Sequence, residues 1–108
     1  MKEYDVVWSE SAQKDLERIV EYIKLDSVER AKRIFEEIRK ECRELHFFPE
    51  RKRVVPELQL IGLTKYRELI YKRWRIVFKM ERNEVHVLLV ADSSQNMEEL
   101  LFQRFVWL

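Results

Sequence analysis

Three runs of sequence, Thr64–Tyr71, Trp74–Glu81 and Glu84–Asp92, stand only two residues apart, separated by Lys72-Arg73 and Arg82-Asn83. Each alternates apolar with polar side chains and is rich in β-branched and aromatic residues, the pattern of a half-buried strand. A two-residue spacer leaves no room for a crossover, so the three strands must run antiparallel as consecutive hairpins. Neither spacer is of the Asn-Gly type that fixes a hairpin firmly, so the turn residues say little about register.

With both turns taken as two-residue loops, the period of two assigns the faces. One face carries Leu69, Tyr71, Trp74, Ile76, Phe78, Met80, Val85, Val87 and Leu89, enough apolar surface to seat a pair of helices. The other carries Glu68, Ile70, Arg75, Val77, Lys79, His86, Leu88, Val90 and Asp92, half apolar and half charged. Unless the C-terminal segment or a partner covers Ile70, Val77, Leu88 and Val90, they form an exposed patch of the kind that marks a binding site.

The segments on either side supply the rest of the fold. Tyr4, Val6 and Trp8 alternate within Lys2–Trp8, which reads as a short strand. Ala12, Leu16, Ile19, Val20 and Ile23 then recur at helical spacing, with Ser9 as N-cap and Lys14, Asp15, Glu17, Arg18 and Glu21 on the other side. Asp26 with Glu29 offers a capping box for a second helix, whose apolar stripe is Ala31, Ile34, Phe35, Ile38, Cys42 and Leu45. Pro49 biases Phe48 away from helical angles and ends it. Residues 49–63 hold both prolines and the single glycine and are the least regular part of the chain. Asn96 with Glu99 opens a short last helix through Leu100, Leu101 and Phe105. The predicted class is α+β over one domain, residues 1–108. An N-terminal strand and an antiparallel helical hairpin pack on one face of a small antiparallel sheet, in the order β-α-α-β-β-β-α.

Several function classes are disfavoured. No apolar run is long enough to cross a membrane, and MKEYDVVWSE lacks the central stretch of a signal peptide. Cys42 is the only cysteine, which rules out an internal disulfide and suits the cytoplasm. There is no Cys/His cluster at ligand spacing and no glycine-rich phosphate loop, so neither metal nor cofactor is expected. Charge is segregated along the chain: residues 49–82 hold ten Lys/Arg against four Asp/Glu, although the whole chain is near neutral at +1.

In sequence order, VVWSESAQKDLERIVEYI, FPERKRVVPEL, RELIYKRWRIVFKMERNEVHVLLV and DSSQNMEELL resemble the RelE/ParE superfamily of type II toxins, on its ParE-like side. The resemblance spans residues 4–103. It implies a toxin that binds DNA gyrase without catalysis of its own and is neutralised by a cognate antitoxin, assembled as a homodimer or a toxin–antitoxin heterotetramer. The ribonuclease branch of the same superfamily, which cuts messenger RNA on the ribosome, implies a different use of the fold. There Arg75, Glu57 and a basic loop residue such as Arg53 would be catalytic.

In-line cleavage by a ribose hydroxyl needs a base, a charge stabiliser and an acid. No His or Tyr stands near Asp92, Ser93 and Ser94 to supply the acid, which argues against that branch. Ser94 also occupies a position where many ParE-like relatives have Arg, leaving a non-toxic member that only binds antitoxin as a third alternative. The candidate contacts to a target or antitoxin are Arg51, Lys52, Arg53, Arg67, Arg75, Val77, Lys79, His86 and Ser94. Arg75 has a plain structural alternative, an ion pair with Glu68 on the next strand. For the Arg51–Arg53 loop the alternative is simple solvation, for Glu57 it is capping or pairing with a nearby Arg, and Trp74 and Phe78 read as core rather than as stacking platforms.

Overall fold

The computed structural model describes residues 3–107. Strand β1 (Asp5–Trp8) leads into helices α1 (Glu10–Lys24) and α2 (Val28–Arg43), followed by two short 3-10 turns. A two-residue strand β2 (Arg53–Val54), a one-turn helix α3 (Pro56–Gln59), strands β3 (Tyr66–Tyr71), β4 (Trp74–Glu81) and β5 (Glu84–Asp92), and helix α4 (Met97–Phe105) complete the chain. The α+β class and element order match expectation.

The five strands form one mixed sheet in the order β1-β5-β4-β3-β2. The three-strand meander is antiparallel as predicted, and β1 joins it parallel to β5, with Asp5 opposite Glu84 and Trp8 opposite Val87. A parallel neighbour requires a return path over the sheet, which the helical hairpin provides. The irregular 49–63 segment contributes β2 to the far edge, pairing Arg53 with Glu68 and Val54 with Arg67. Lys72 and Arg82 open the two hairpin turns in left-handed backbone, φ 53° and 58°. The predicted first strand began at Lys2; paired strand begins at Asp5, and Lys2 lies outside the described residues.

The helix starts follow the sequence closely. The Ser9 hydroxyl accepts from the Ala12 amide, and the Asn96 side chain accepts from that of Glu99. The second helix is capped one residue later than expected: Ser27, not Asp26, accepts from the Arg30 amide, while the Asp26 carboxylate lies beside the Arg30 side chain. Helix α2 ends at Arg43, before the Pro49 that was expected to stop it. Pro49 starts the second 3-10 turn, and Phe48 before it sits at φ 51°.

The sheet separates two apolar clusters. Beneath the helical hairpin, Ala12, Leu16, Ile34, Ile38 and Cys42 meet Ile76, Phe78, Val85 and Val87. On the opposite face, Val55 and Leu58 around α3 and Met97 and Leu101 of α4 meet Tyr66, Val77 and Leu89. The predicted half-exposed face is therefore largely sealed, and Val77, expected on an accessible patch, is fully buried. Ile70 at the edge stays 51% exposed.

The face assignment fails beyond Val87. Val77 pairs with Leu89 but Phe78 pairs with Val87, so Leu88 is an inserted residue, a β-bulge. Leu88 and Leu89 consequently both join the second cluster, and Val90 joins the first. Leu89 and Val90 have exchanged faces relative to a strict period of two.

Candidate functional site

Arg75 is the cation on which sequence and face assignment converged, and the structure places it 8% exposed on the covered face of β4. Its Nε donates to Glu68 Oε1 at 2.7 Å, while Nη1 and Nη2 reach the two Glu57 oxygens at 2.8 and 2.7 Å. The second contact is a fork-to-fork pair, the strongest geometry open to an arginine. Arg53 closes the chain from β2, its Nε donating to Glu68 Oε2 at 2.6 Å. Two guanidiniums and two carboxylates thus neutralise one another, tying β2 and α3 to the centre of the sheet.

This arrangement uses up the groups that a ribonuclease would need free. Hydrogen bonding from Arg75 holds the Glu57 carboxyl below the usual carboxylate range, against the opposing effect of partial burial. The same Glu57 contact, with Glu68 behind it, pushes the Arg75 pKa up. A carboxylate clamped by a bidentate cation is held ionised, with one lone pair on each oxygen already committed to the guanidinium. Cross-strand pairing of Arg75 with Glu68 was the plain alternative from sequence; Glu57 as the second arm follows from α3, a segment without periodicity.

The remaining predicted contacts are scattered rather than gathered. The Arg51 guanidinium lies over the Phe48 ring, 4.1 Å from its centroid. Arg67 Nη1 donates to the Lys52 carbonyl at 2.6 Å, which secures the approach to β2. Lys79 pairs with Glu81 at 3.4 Å, and His86, opposite Lys79 across the hairpin, lies 3.1 Å from Glu84. Among the described residues, no group of His, Cys, Asp and Glu is arranged to hold a metal. Cys42 is fully buried, and burial pushes its thiol up to about 12, leaving an inert core residue.

Ser94 lies elsewhere, on the rim of a cleft of about 740 Å³ between α1, α4 and the junction of β4 with β5. Its amide donates to Asp92 Oδ1 at 2.9 Å, and Arg73 reaches Asp92 Oδ2 at 2.7 Å. Burial works to raise the Asp92 carboxyl, but these contacts outweigh it and hold the group below its ordinary value. Arg73, one of the two spacer residues between β3 and β4, thus ties that turn to the end of β5.

Asp15 was missed more completely, having been assigned to the wet side of α1. It is 6% exposed, accepting from the Val90 amide at 3.0 Å and from Arg104 Nη2 at 2.9 Å. Arg104 also donates to the Leu88 carbonyl at 3.0 Å, and Arg18 to Asp15 Oδ1 at 2.9 Å. The last β5 residue paired with β1 is Val87, so α1 and α4 supply the partners that β1 no longer can. A signal existed: Asp15 follows Ala12 by three and precedes Ile19 and Ile23 by four and eight, on the apolar stripe itself.

A family model described as the ParE toxin of the type II toxin–antitoxin system, parDE, matches residues 6–97. Among solved structures, one described as the chromosomal ParDE TA system from P. aeruginosa is similar with a TM-score of 0.69. It is 18% identical, over 82% of this chain and 95% of that one, a likeness of fold. No curated protein matches by sequence.

Proposed function

The chain belongs to the ParE toxin family of type II toxin–antitoxin systems, and from that membership we propose that it arrests growth by binding DNA gyrase in the cytoplasm and is neutralised by a cognate antitoxin. Binding rather than chemistry is the favoured mode, and the state of Arg75 carries that preference. Its three donor nitrogens are engaged by Glu57 and Glu68 under a covered sheet face, so neither it nor Glu57 is presented to a ribose hydroxyl. A gyrase-binding toxin needs only a stable surface, which such a brace supplies.

The test is expression of the chain alone and together with the product of an adjacent short reading frame, paired with a supercoiling assay on purified gyrase. Growth arrest relieved by the second protein, with supercoiling blocked and cleaved DNA accumulating, is the expected outcome. Normal growth at good soluble expression would make it a non-toxic member that keeps only antitoxin binding. Cuts in ribosome-bound message mapped by primer extension would instead restore the ribonuclease reading.

A further inference from the structure

Arg53, Arg73, Arg75 and Arg104 are each fixed in place by carboxylates, which cancel their charge. The second 3-10 turn, just before β2, is built differently. Arg51 lies over the Phe48 ring, 4.1 Å from its centroid, and Arg67 on β3 donates to the Lys52 carbonyl at 2.6 Å. Both guanidiniums are oriented by neutral partners, a ring and a peptide dipole, and so keep their full charge. Lys52 stands exposed beside them. Among the described residues, no carboxylate lies within ion-pair distance of Arg51, Lys52 or Arg67, and Glu50, the acid of the turn, is exposed and pairs with none of them.

The backbone that presents these cations is firmly held. Phe48 sits at φ 51°, a region that bulky side chains rarely occupy, and strain of this kind collects at functional sites. The Arg51 and Lys52 amides donate to the Phe48 and Pro49 carbonyls, both at 3.1 Å. One residue further on, Arg53 is tied to the buried Glu68, so the brace around Arg75 also anchors this turn. An arginine already held in place loses less rotamer freedom when an anion arrives. The neighbouring rings are not free apolar anchors: Arg51 covers Phe48, and Phe47 packs on His46 with centroids 3.9 Å apart.

We propose that Arg51, Lys52 and Arg67 contact the phosphate backbone of duplex DNA. This deepens the proposed function and rests on it for its setting, since gyrase brings a DNA duplex to the toxin it binds. A guanidinium matches a phosphate with two parallel donors, and an ammonium serves beside it as a point charge. The centre of a protein interface is built instead on aromatic anchors that enter pockets, and here the rings are spent on positioning. The contact reaches phosphates and not base edges, so it reads no sequence. On a chain of net charge +1, three such contacts make a weak complex with free DNA and a useful addition to a complex already formed through protein.

The probe is a fluorescently labelled duplex of about 20 base pairs, titrated with the purified chain from about 50 to 200 mM salt and followed by anisotropy. Three phosphate contacts predict a slope of log K against log salt of about −2.7, a fall of roughly fortyfold across that range. Lys52→Gln, at an exposed side chain, should reduce the slope by about one, and Arg67→Gln likewise. Glu50→Gln removes the acid of the turn and should tighten binding. Lys24→Gln, at the other end of the helical hairpin, makes the same change of charge and should leave the slope as it is. No binding at the lowest salt, an unchanged slope in Lys52→Gln, or an equal reduction in Lys24→Gln would overturn the contact. So would tighter binding to a single-stranded RNA of the same length. The assay contains no gyrase, so it can fail while supercoiling is still blocked, and succeed where supercoiling is not.

Discussion

Arg75 illustrates how far a single residue can be read from sequence. Its place on β4 opposite the β3 strand follows from alternation alone, and pairing with Glu68 is what cross-strand neighbours of opposite charge tend to do. The second carboxylate, Glu57, was invisible as a partner because its position depends on where an aperiodic segment lies. Glu68 has a side chain with no exposed surface, so its charge depends entirely on Arg75 and Arg53. Removing one member of a buried pair leaves a stranded charge, at a cost of about 3–5 kcal/mol. Arg75→Met should therefore lower the urea midpoint severely. Arg53→Ala removes a partner that is 54% exposed and should cost about 1 kcal/mol or less. Equal losses for the two variants would show that the brace is not centred on Arg75.

At the scale of elements, the two helices and the meander were legible because their periodicities are strong and their caps are conventional. The mispredicted portion is the end of β5, and one inserted residue accounts for it. A bulge leaves no mark in composition, and VHVLLVAD reads as an uninterrupted strand. Asp15 marks the same region from the other side, as a carboxylate on an apolar stripe whose partners, Arg104 and the Val90 amide, are distant in sequence. Asp15→Ala should cost several kcal/mol, since it strands Arg104 and orphans a buried backbone donor. Amide exchange provides the sharper measurement. Val90 should lose protection in this variant while Val85 and Val87, paired with β1, keep theirs. Uniform loss along β5 would mean that Asp15 supports the whole domain rather than the junction of α1, β5 and α4.

Over the whole molecule, the segregation of charge in sequence disappears in space. The basic third of the chain borrows acids from the other two: Lys72 meets Glu37 at 3.1 Å on α2, and Arg73 meets Asp92 at the end of β5. A strongly basic stretch thus folds into a surface laced with ion pairs, which is why the predicted Arg/Lys contacts did not coalesce into one patch. The pairing has a consequence for acid stability. Tyr71 and Lys72 hold Glu37 low, Arg75 holds Glu57 low, and Asp92 is held low against its burial by the Ser94 amide and Arg73. A carboxyl with a depressed folded-state pKa stabilises the fold above its unfolded pKa, about 4, and that stability is lost as pH falls toward the folded value. Thermal melts should accordingly be level from about pH 5 to 7 and decline below about pH 4. Glu57→Gln should start from a lower plateau and decline less steeply. An unchanged slope would mean Glu57 gains nothing from Arg75 on folding.

The bulge at Leu88 also changes the parity of the strand. Odd-numbered positions before it face the helical hairpin, and even-numbered positions after it do. The same strand paired without a bulge would send Val90 to the α4 layer and Ala91 to the hairpin layer, with every letter unchanged. Losing the bulge while keeping the residue would turn the sheet's last segment inside out, and with it the backbone positions on which Asp15 and Arg104 close. The end of β5 is thus placed by the register of its pairing before it is placed by its composition.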